Sequence, residues 1–277
     1  MIMQPMSILS TTKRTQEKNT IESYNATLSK FRDQIGNSRQ LDGISSEEVL
    51  SFLNKITEGG KQQTKHGRYS HLKAFFNFIK INFYSTLQNP CDTPMLRKLY
   101  RPGKPNHWSI VEKETIDEII FRTTQARNRL ILELMARGGT RVGEVLKLTP
   151  RHVNDQKLML QTPKSGNDEE VVFIPRRVAD RLNGYIRGKG IEPGQRIFPI
   201  TYAGARLVVK KAGKLVRIEL RPHDLRRHAA TYASRSGVPI EIVSKVILRH
   251  ANLSTTQRYL GKISDAEATR WIENLYG

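Results

Sequence analysis

Apolar positions along this chain recur mostly at steps of three and four. Ile21, Tyr24, Leu28, Phe31 and Ile35 form one stripe of a helix that Gly36 and Asn37 end. Ser45 and Glu48 have capping-box spacing, which starts a second helix burying Val49, Leu50, Phe52, Leu53 and Ile56 before Gly59-Gly60. A third helix is expected over about 61–81, with Leu72, Phe75, Phe76 and Ile79 as its core. Lys61, Lys65 and Arg68 continue the same stripe past that core. This cationic extension reaches toward a polyanion, with a merely solvated helix end as the alternative.

Pro90 to Pro105 holds four prolines and the basic string Arg97-Lys98…Arg101…Lys104, and reads as a linker centred on 98–107, with a boundary near 105. The pattern then changes. Helices are expected at about 112–122, 126–136 (stopped by Gly138-Gly139), 141–148, 177–187, 203–212, 224–236, 239–247, 254–259 and 264–275. Lys157–Gln161 and Glu170–Ile174 alternate as two strands joined by a polar turn. The first 14 residues are polar and aperiodic.

Charge narrows the function. Forty-six Lys and Arg against 26 Asp and Glu give +20 over 277 residues. The surplus is spread along the chain, sixteen to eight over residues 1–106 and thirty to eighteen beyond, so both halves are expected to touch a polyanion, of which nucleic acid is the commonest. No apolar run is long enough to span a bilayer, Met1 to Arg14 lacks a secretory h-region, and no membrane partner is expected. One cysteine, Cys91, excludes an internal disulfide framework and a cysteine-based zinc cluster and fits a reducing, cytosol-like compartment. Nucleotide-binding glycine motifs are absent, so no cofactor is expected.

The chemistry-bearing residues cluster late. Arg141 follows Gly138-Gly139-Thr140, a break that frees its guanidinium to meet a ligand, and Glu144 one turn on could hold it; an ordinary intrahelical pair is the alternative. Lys164 sits at the hairpin tip, as a mobile ammonium able to protonate a leaving oxygen or as a solubilising residue. His223 and Arg226, three apart, share a helix face, while Arg227 and His228 point elsewhere. His223 and His228 have no metal-ligand spacing, and no metal is expected. His250 and Tyr259 flank a short helix capped by Ser254 or Thr255. A free phenol is a poor nucleophile near neutral pH, but positive charge around it favours the developing phenolate.

The ordered set Arg141, Lys164, His223-x-x-Arg226, His250 and Tyr259 resembles the tyrosine recombinase/phage integrase family. So does the local wording: TRVGEVLKL, a lysine-bearing hairpin followed by VVFIP, HDLRRHAAT and RHANLSTTQRY. The resemblance covers about 14–275 and is strongest over 130–260. It implies a mainly α (α+β) protein, a C-shaped clamp on DNA. Residues 15–97 would be a helical, SAM-like core-binding domain. Residues 108–277 would be a mostly helical catalytic domain with a small antiparallel β-sheet. By the same resemblance Tyr259 attacks a backbone phosphate to give a 3′-phosphotyrosine, and Arg141, Arg226 and His250 hold the non-bridging oxygens. Lys164 protonates the 5′-oxygen, His223 assists at the tyrosine and Glu144 supports Arg141. Neither ATP nor a metal is then required.

The implied partners are double-stranded DNA bearing specific recombination sites and a homo-tetramer that passes through a Holliday junction, in a nucleoid-associated, cytoplasmic setting. Two positions depart from the family pattern. Arg249 stands where glycine often precedes the histidine and is expected to add a phosphate contact or to alter control, and Arg227 stands where a second histidine is common. The chain before Ile21 is too short for an added arm-binding domain. The last segment, with Ala266, Ala268, Trp271, Ile272 and Leu275, is apolar enough to pack on a neighbouring protomer or on its own domain. Two other readings share the chemistry or the fold. A type IB topoisomerase would relax DNA without a specific site, and a DNA-binding regulator would have lost catalytic side chains.

Overall fold

The computed structural model describes residues 18–103, 110–161, 169–250, 252–257, 260 and 265–276. It divides into two compact units, Met1–Pro105 and Asn106–Gly277.

In the first unit, helices α1 (Lys18–Ile35), α2 (Ser46–Ile56) and α3 (Gln62–Asn82) bury the faces that their apolar stripes define. The α2 cap is reciprocal: Ser45 Oγ accepts from Glu48 N–H at 3.2 Å, and Ser45 N–H donates to Glu48 Oε2 at 2.8 Å. Phe31, Phe52 and Phe76 are each fully buried. Phe31 meets Phe52 at 4.9 Å and Phe76 at 6.0 Å between ring centroids, both edge-on, the arrangement ring quadrupoles prefer.

The proline-rich segment is not a free linker over its whole length. Thr93 caps a short helix, α4 (Pro94–Leu99), and Cys91, Leu96 and Tyr100 are buried in the unit's core. Tyr100 stacks on Tyr69 at 5.6 Å and donates its hydroxyl to Asn54 Oδ1 at 2.9 Å. Gln62 Nε2 ties the carbonyls of Leu99 and Arg101 to α3, each at 2.9 Å. Prolines at both ends hid an apolar anchor in the middle.

The second unit is built around α6 (Ala126–Gly138), whose residues 130–136 are all buried, as expected of a helix enclosed by others. Its one carboxylate there, Glu133, is held by a bidentate bond from Arg181 at 2.6 and 3.0 Å, which satisfies a charge that burial would otherwise make costly. Around it pack α5 (Lys113–Arg122), α7 (Val142–Lys147), α8 (Arg176–Gly188), α9 (Tyr202–Lys214) and α10 (Pro222–Arg235).

A small antiparallel sheet of order β1-β2-β3 lies beside them. β2 (Lys157–Gln161) pairs with β3 (Glu169–Phe173) from Lys157↔Phe173 to Gln161↔Glu169. β1 (Val153–Asn154) was not anticipated, being only two residues long. The helix expected over 239–247 is α11 (Ile240–Ile242) running into a π turn, Val243–Ile247, closed by Leu248 N–H to Val243 C=O at 2.9 Å. The chain then forms α12 (Leu253–Gln257) and α13 (Asp265–Tyr276). Ser254 and Thr255 therefore lie inside the first turn of α12, not at its cap. Among the described residues no helix is long and apolar enough to cross a membrane.

Candidate active site

Two glycines at the end of α6 set the geometry. A Cβ on Gly138 would lie 3.0 Å from Ile174 and 3.2 Å from Val172, so its absence lets the helix end touch the sheet. Gly139 has φ +61°, and a Cβ there would come within 2.8 Å of both the Ile247 side chain and its carbonyl oxygen. Helix α6 can thus stop with its last carbonyls against the π turn.

Arg141 follows in extended conformation as the N-cap of α7. Its backbone N–H donates to Glu144 Oε2 at 2.7 Å and its Nη1 to Glu144 Oε1 at 2.6 Å, so the carboxylate fixes both the chain and the guanidinium. Burial alone would push the Glu144 carboxyl up. The charges of Arg249 and Arg141, with the Arg141 N–H, overcome that and hold it below the usual carboxylate range.

Helix α10 begins with Arg221 as N-cap, whose N–H donates to Asp224 Oδ2 at 2.8 Å, and Pro222 at its first position. His223 stays exposed on this first turn. One turn on, Arg226 is 1% exposed and donates to the carbonyls of Gly139 and Leu248, with Nη2 also 3.4 Å from His250 Nε2. Arg226 thereby binds the end of α6 to the π turn. Its neighbours turn away: Arg227 pairs with Asp224 at 2.9 Å, and buried His228 contacts the Val111 carbonyl at 2.9 Å through Nδ1.

His250 is positioned from both sides. Its N–H donates to the Ser244 carbonyl at 2.9 Å, and its Nδ1 lies 3.0 Å from Thr256 Oγ1, which donates to Ser244 Oγ at 2.7 Å. Thr256 thus holds Nδ1, and Nε2 is left facing Arg226. Desolvation, then the charges of Arg226, Arg141 and Arg249, lower the His250 pKa to about 4. Partial desolvation, then Arg226, Arg227 and Arg141, also lower that of His223. Both imidazoles are therefore neutral at pH 7 in a pocket dominated by arginine, which is a site prepared for an anion.

Arg249 corrects an expectation. Its charge is already matched by two carboxylates, so it is not offered to a phosphate: its Nη2 binds Glu144 Oε2 at 2.7 Å and its Nε binds Glu170 Oε2 at 3.1 Å. Glu170, Ser244 and Thr256 were not singled out from sequence. Thr256 adjoined the proposed cap, but no local signal marked Glu170. Lys164 and Tyr259 lie outside the described residues, as does Lys104. In the first unit Lys61 is exposed at the N-cap of α3, Lys65 is half-buried and Arg101 is exposed. Arg68 instead turns its Nη1 onto α1, 2.8 Å from Thr27 Oγ1. Trp271 of α13 approaches Gly237 of the same chain, 3.2 Å from where a Cβ would be, while Ile272 remains exposed.

A mostly helical domain thus carries, beside a three-stranded antiparallel sheet, a cluster of Arg141, Arg226 and His250 with Glu144 in support. The model of the Phage integrase family matches residues 111–264, and the chain belongs to that family. It is 30% identical to tyrosine recombinase XerA of Pyrococcus horikoshii, over 88% of this chain and 83% of that one. It is 26% identical to a tyrosine recombinase of Thermosipho africanus over 95% of each. Among solved structures, the Tn1549 transposon integrase in complex with a circular intermediate DNA matches with TM-score 0.73 at 17% identity, covering 98% of this chain and 97% of that one. A lambda integrase tetramer bound to a Holliday junction matches with TM-score 0.70 at 16% identity, covering 95% and 80%. The chain is accordingly a site-specific recombinase, an enzyme that breaks and rejoins DNA strands.

Proposed function

We propose that Tyr259 is the nucleophile. Its hydroxyl oxygen forms a bond to a backbone phosphorus while the bond from phosphorus to the 5′-oxygen breaks, leaving a 3′-phosphotyrosine and a free 5′-hydroxyl. Arg141 and Arg226, with His250, take the non-bridging oxygens, whose charge grows in the transition state. Lys164, on the connection between β2 and β3, gives its proton to the departing 5′-oxygen, and His223 assists proton transfer at the tyrosine. A 5′-hydroxyl from a second strand then attacks the adduct and releases Tyr259. The phosphodiester energy is kept in the adduct, so the cycle needs no nucleotide.

The supporting observation is the convergence of Arg226, Arg141 and His250, close enough that the two guanidinium groups help lower the imidazole's pKa to about 4. The first unit serves as the core-binding domain, with Lys61, Lys65, Arg101 and Lys104 toward the DNA backbone. Four copies act on two duplexes with specific sites through a Holliday junction, in the nucleoid of a cell. α13 then leaves its own domain for a neighbouring protomer. Support for this assembly comes from the lambda integrase tetramer and from the Ile272 face that α13 leaves exposed.

Incubation with nicked suicide substrates bearing candidate sites, read as an SDS-stable protein–DNA adduct, tests the chemistry. Tyr259→Phe should lose the adduct and keep DNA binding; an undiminished adduct in that variant overturns the assignment. Truncation after Ile263 should abolish synapsis while sparing single-site binding, and normal recombination by the truncated chain would sink the exchange of α13.

A further inference from the structure

Arg249 has φ +52°, a backbone region where glycine is at ease and an L side chain is disfavoured. The chain nevertheless places an arginine there and buries its side chain to 3% exposure. Its three donors reach three separate elements: Nη2 to Glu144 of α7 at 2.7 Å, Nε to Glu170 of β3 at 3.1 Å, and Nη1 to the Ile247 carbonyl of the π turn at 2.8 Å. A buried cation between two carboxylates is a poor way to gain stability, because an apolar side chain of similar volume fills such a space at lower desolvation cost. The arrangement has a different consequence.

Glu144 is also the partner of Arg141, through both N–H and Nη1. Alone, that carboxylate would neutralise Arg141. With Arg249 sharing it, Arg141, Arg226 and Arg249 face Glu144 and Glu170, and the cluster keeps a net positive charge. Without Arg249 the two signs balance, and the negative charge that grows on the phosphate in the transition state loses its compensation. Glu170 is the second residue of the strand that follows the connection carrying Lys164, so the same guanidinium ties that strand to the pocket.

We infer that Arg249 is a positioning residue for strand cleavage, sharing Glu144 so that Arg141 keeps its orientation and its charge, and holding β3 to the pocket through Glu170. The inference rests on the proposed reading of the pocket. Its test compares DNA affinity on intact duplex with the single-turnover rate of adduct formation on a saturating suicide substrate. Arg249→Met should slow cleavage roughly tenfold to a hundredfold with affinity within about threefold of wild type, the pattern of lost support to a reacting group. Arg249→Lys, which keeps the charge but not the fork, should recover part of the rate. Adding Glu170→Gln to Arg249→Met should also recover rate, because it removes the carboxylate left without its cation. If Arg249→Met does not fold, Arg249→Lys and Glu170→Gln alone must each slow cleavage without loss of affinity.

A simple packing role predicts altered melting with an unaltered rate. Wild-type cleavage by Arg249→Met, or by both substitute variants, overturns the inference while Tyr259→Phe still reports on the nucleophile. If wild type itself gives no Tyr259-dependent adduct, the reading of the pocket falls and this inference with it.

Discussion

The same change, glycine to alanine, should have opposite effects at two positions four residues apart. At Gly139, φ +61° would put alanine in the left-handed region, which costs an L residue roughly 1–2 kcal/mol. Its Cβ would sit 2.8 Å from Ile247 Cγ2 and 2.8 Å from the Ile247 carbonyl oxygen. The side chain could rotate away, but the carbonyl belongs to the π turn and cannot move alone. Overpacking of this kind costs about 1–3 kcal/mol, so Gly139→Ala should destabilise the second unit by roughly 2–5 kcal/mol. At Gly143, in the first turn of α7, a Cβ would meet nothing within 4 Å and φ is not positive. There alanine limits the unfolded chain and favours the helix, and should stabilise by about 0.5–1 kcal/mol.

Both tryptophans, Trp108 and Trp271, belong to the second unit, so urea unfolding followed by tryptophan fluorescence reads the unit in question. Gly139→Ala should lower the urea midpoint by on the order of 1–2 M, and Gly143→Ala should raise it slightly. The Gly139 carbonyl accepts a bond from Arg226, so the destabilised variant should also form the DNA adduct more slowly per folded molecule. A Gly139→Ala protein within ~0.5 kcal/mol of wild type, or two variants shifted in the same direction, would refute the reasoning.

Three further outcomes are expected. The folded pKa of His250, about 4, lies below the ordinary 6.5, so the unfolded chain binds more protons between those values. Stability from this group is fully present above pH 6.5 and is lost as pH falls toward 4, by on the order of 1–3 kcal/mol once solvent screening is allowed for. Imidazole NMR titration should give an unusually acidic midpoint for His250, and one near 6.5 would contradict it. Burial pushes the Cys91 thiol up to about 12, so a thiol reagent at pH 8 should label it only after denaturation, and rapid labelling of the native protein would count against its burial. Ser45→Ala should remove one half of the α2 capping box and lower the stability of the first unit by about 1 kcal/mol, measured by thermal melting of wild type and variant.

What could be read from sequence was what lies within a turn or two of itself. The Ser45–Glu48 cap, the stop at Gly139 and the alternation of β2 and β3 are set by neighbours along the chain, and their spacing carries them. The same holds for Arg141 with Glu144, and for the turning away of Arg227 and His228. Arg141, Arg226 and His250 could be picked out along the chain, but their contacts could not. Arg226 reaches a carbonyl 87 residues away, and Arg249 reaches carboxylates 105 and 79 residues away. No periodicity encodes a bond across that distance, because each helix can satisfy its own pattern wherever its partner lies.

The error over Arg249 has the same origin. Among basic residues in a basic chain, an arginine beside a histidine reads as a phosphate ligand until two distant carboxylates are brought to it. The π turn belongs with these non-local features. Val243–Ile247 carries an ordinary helical pattern, yet the wider turn brings the carbonyls of Ser244 and Leu248 to His250 N–H and Arg226. A regular α-helix through Leu248 would bond its N–H to Ser244 in place of Val243, and the Ser244 carbonyl would no longer be reserved for His250. The local irregularity that sequence did not announce is therefore what seats the imidazole against the arginine.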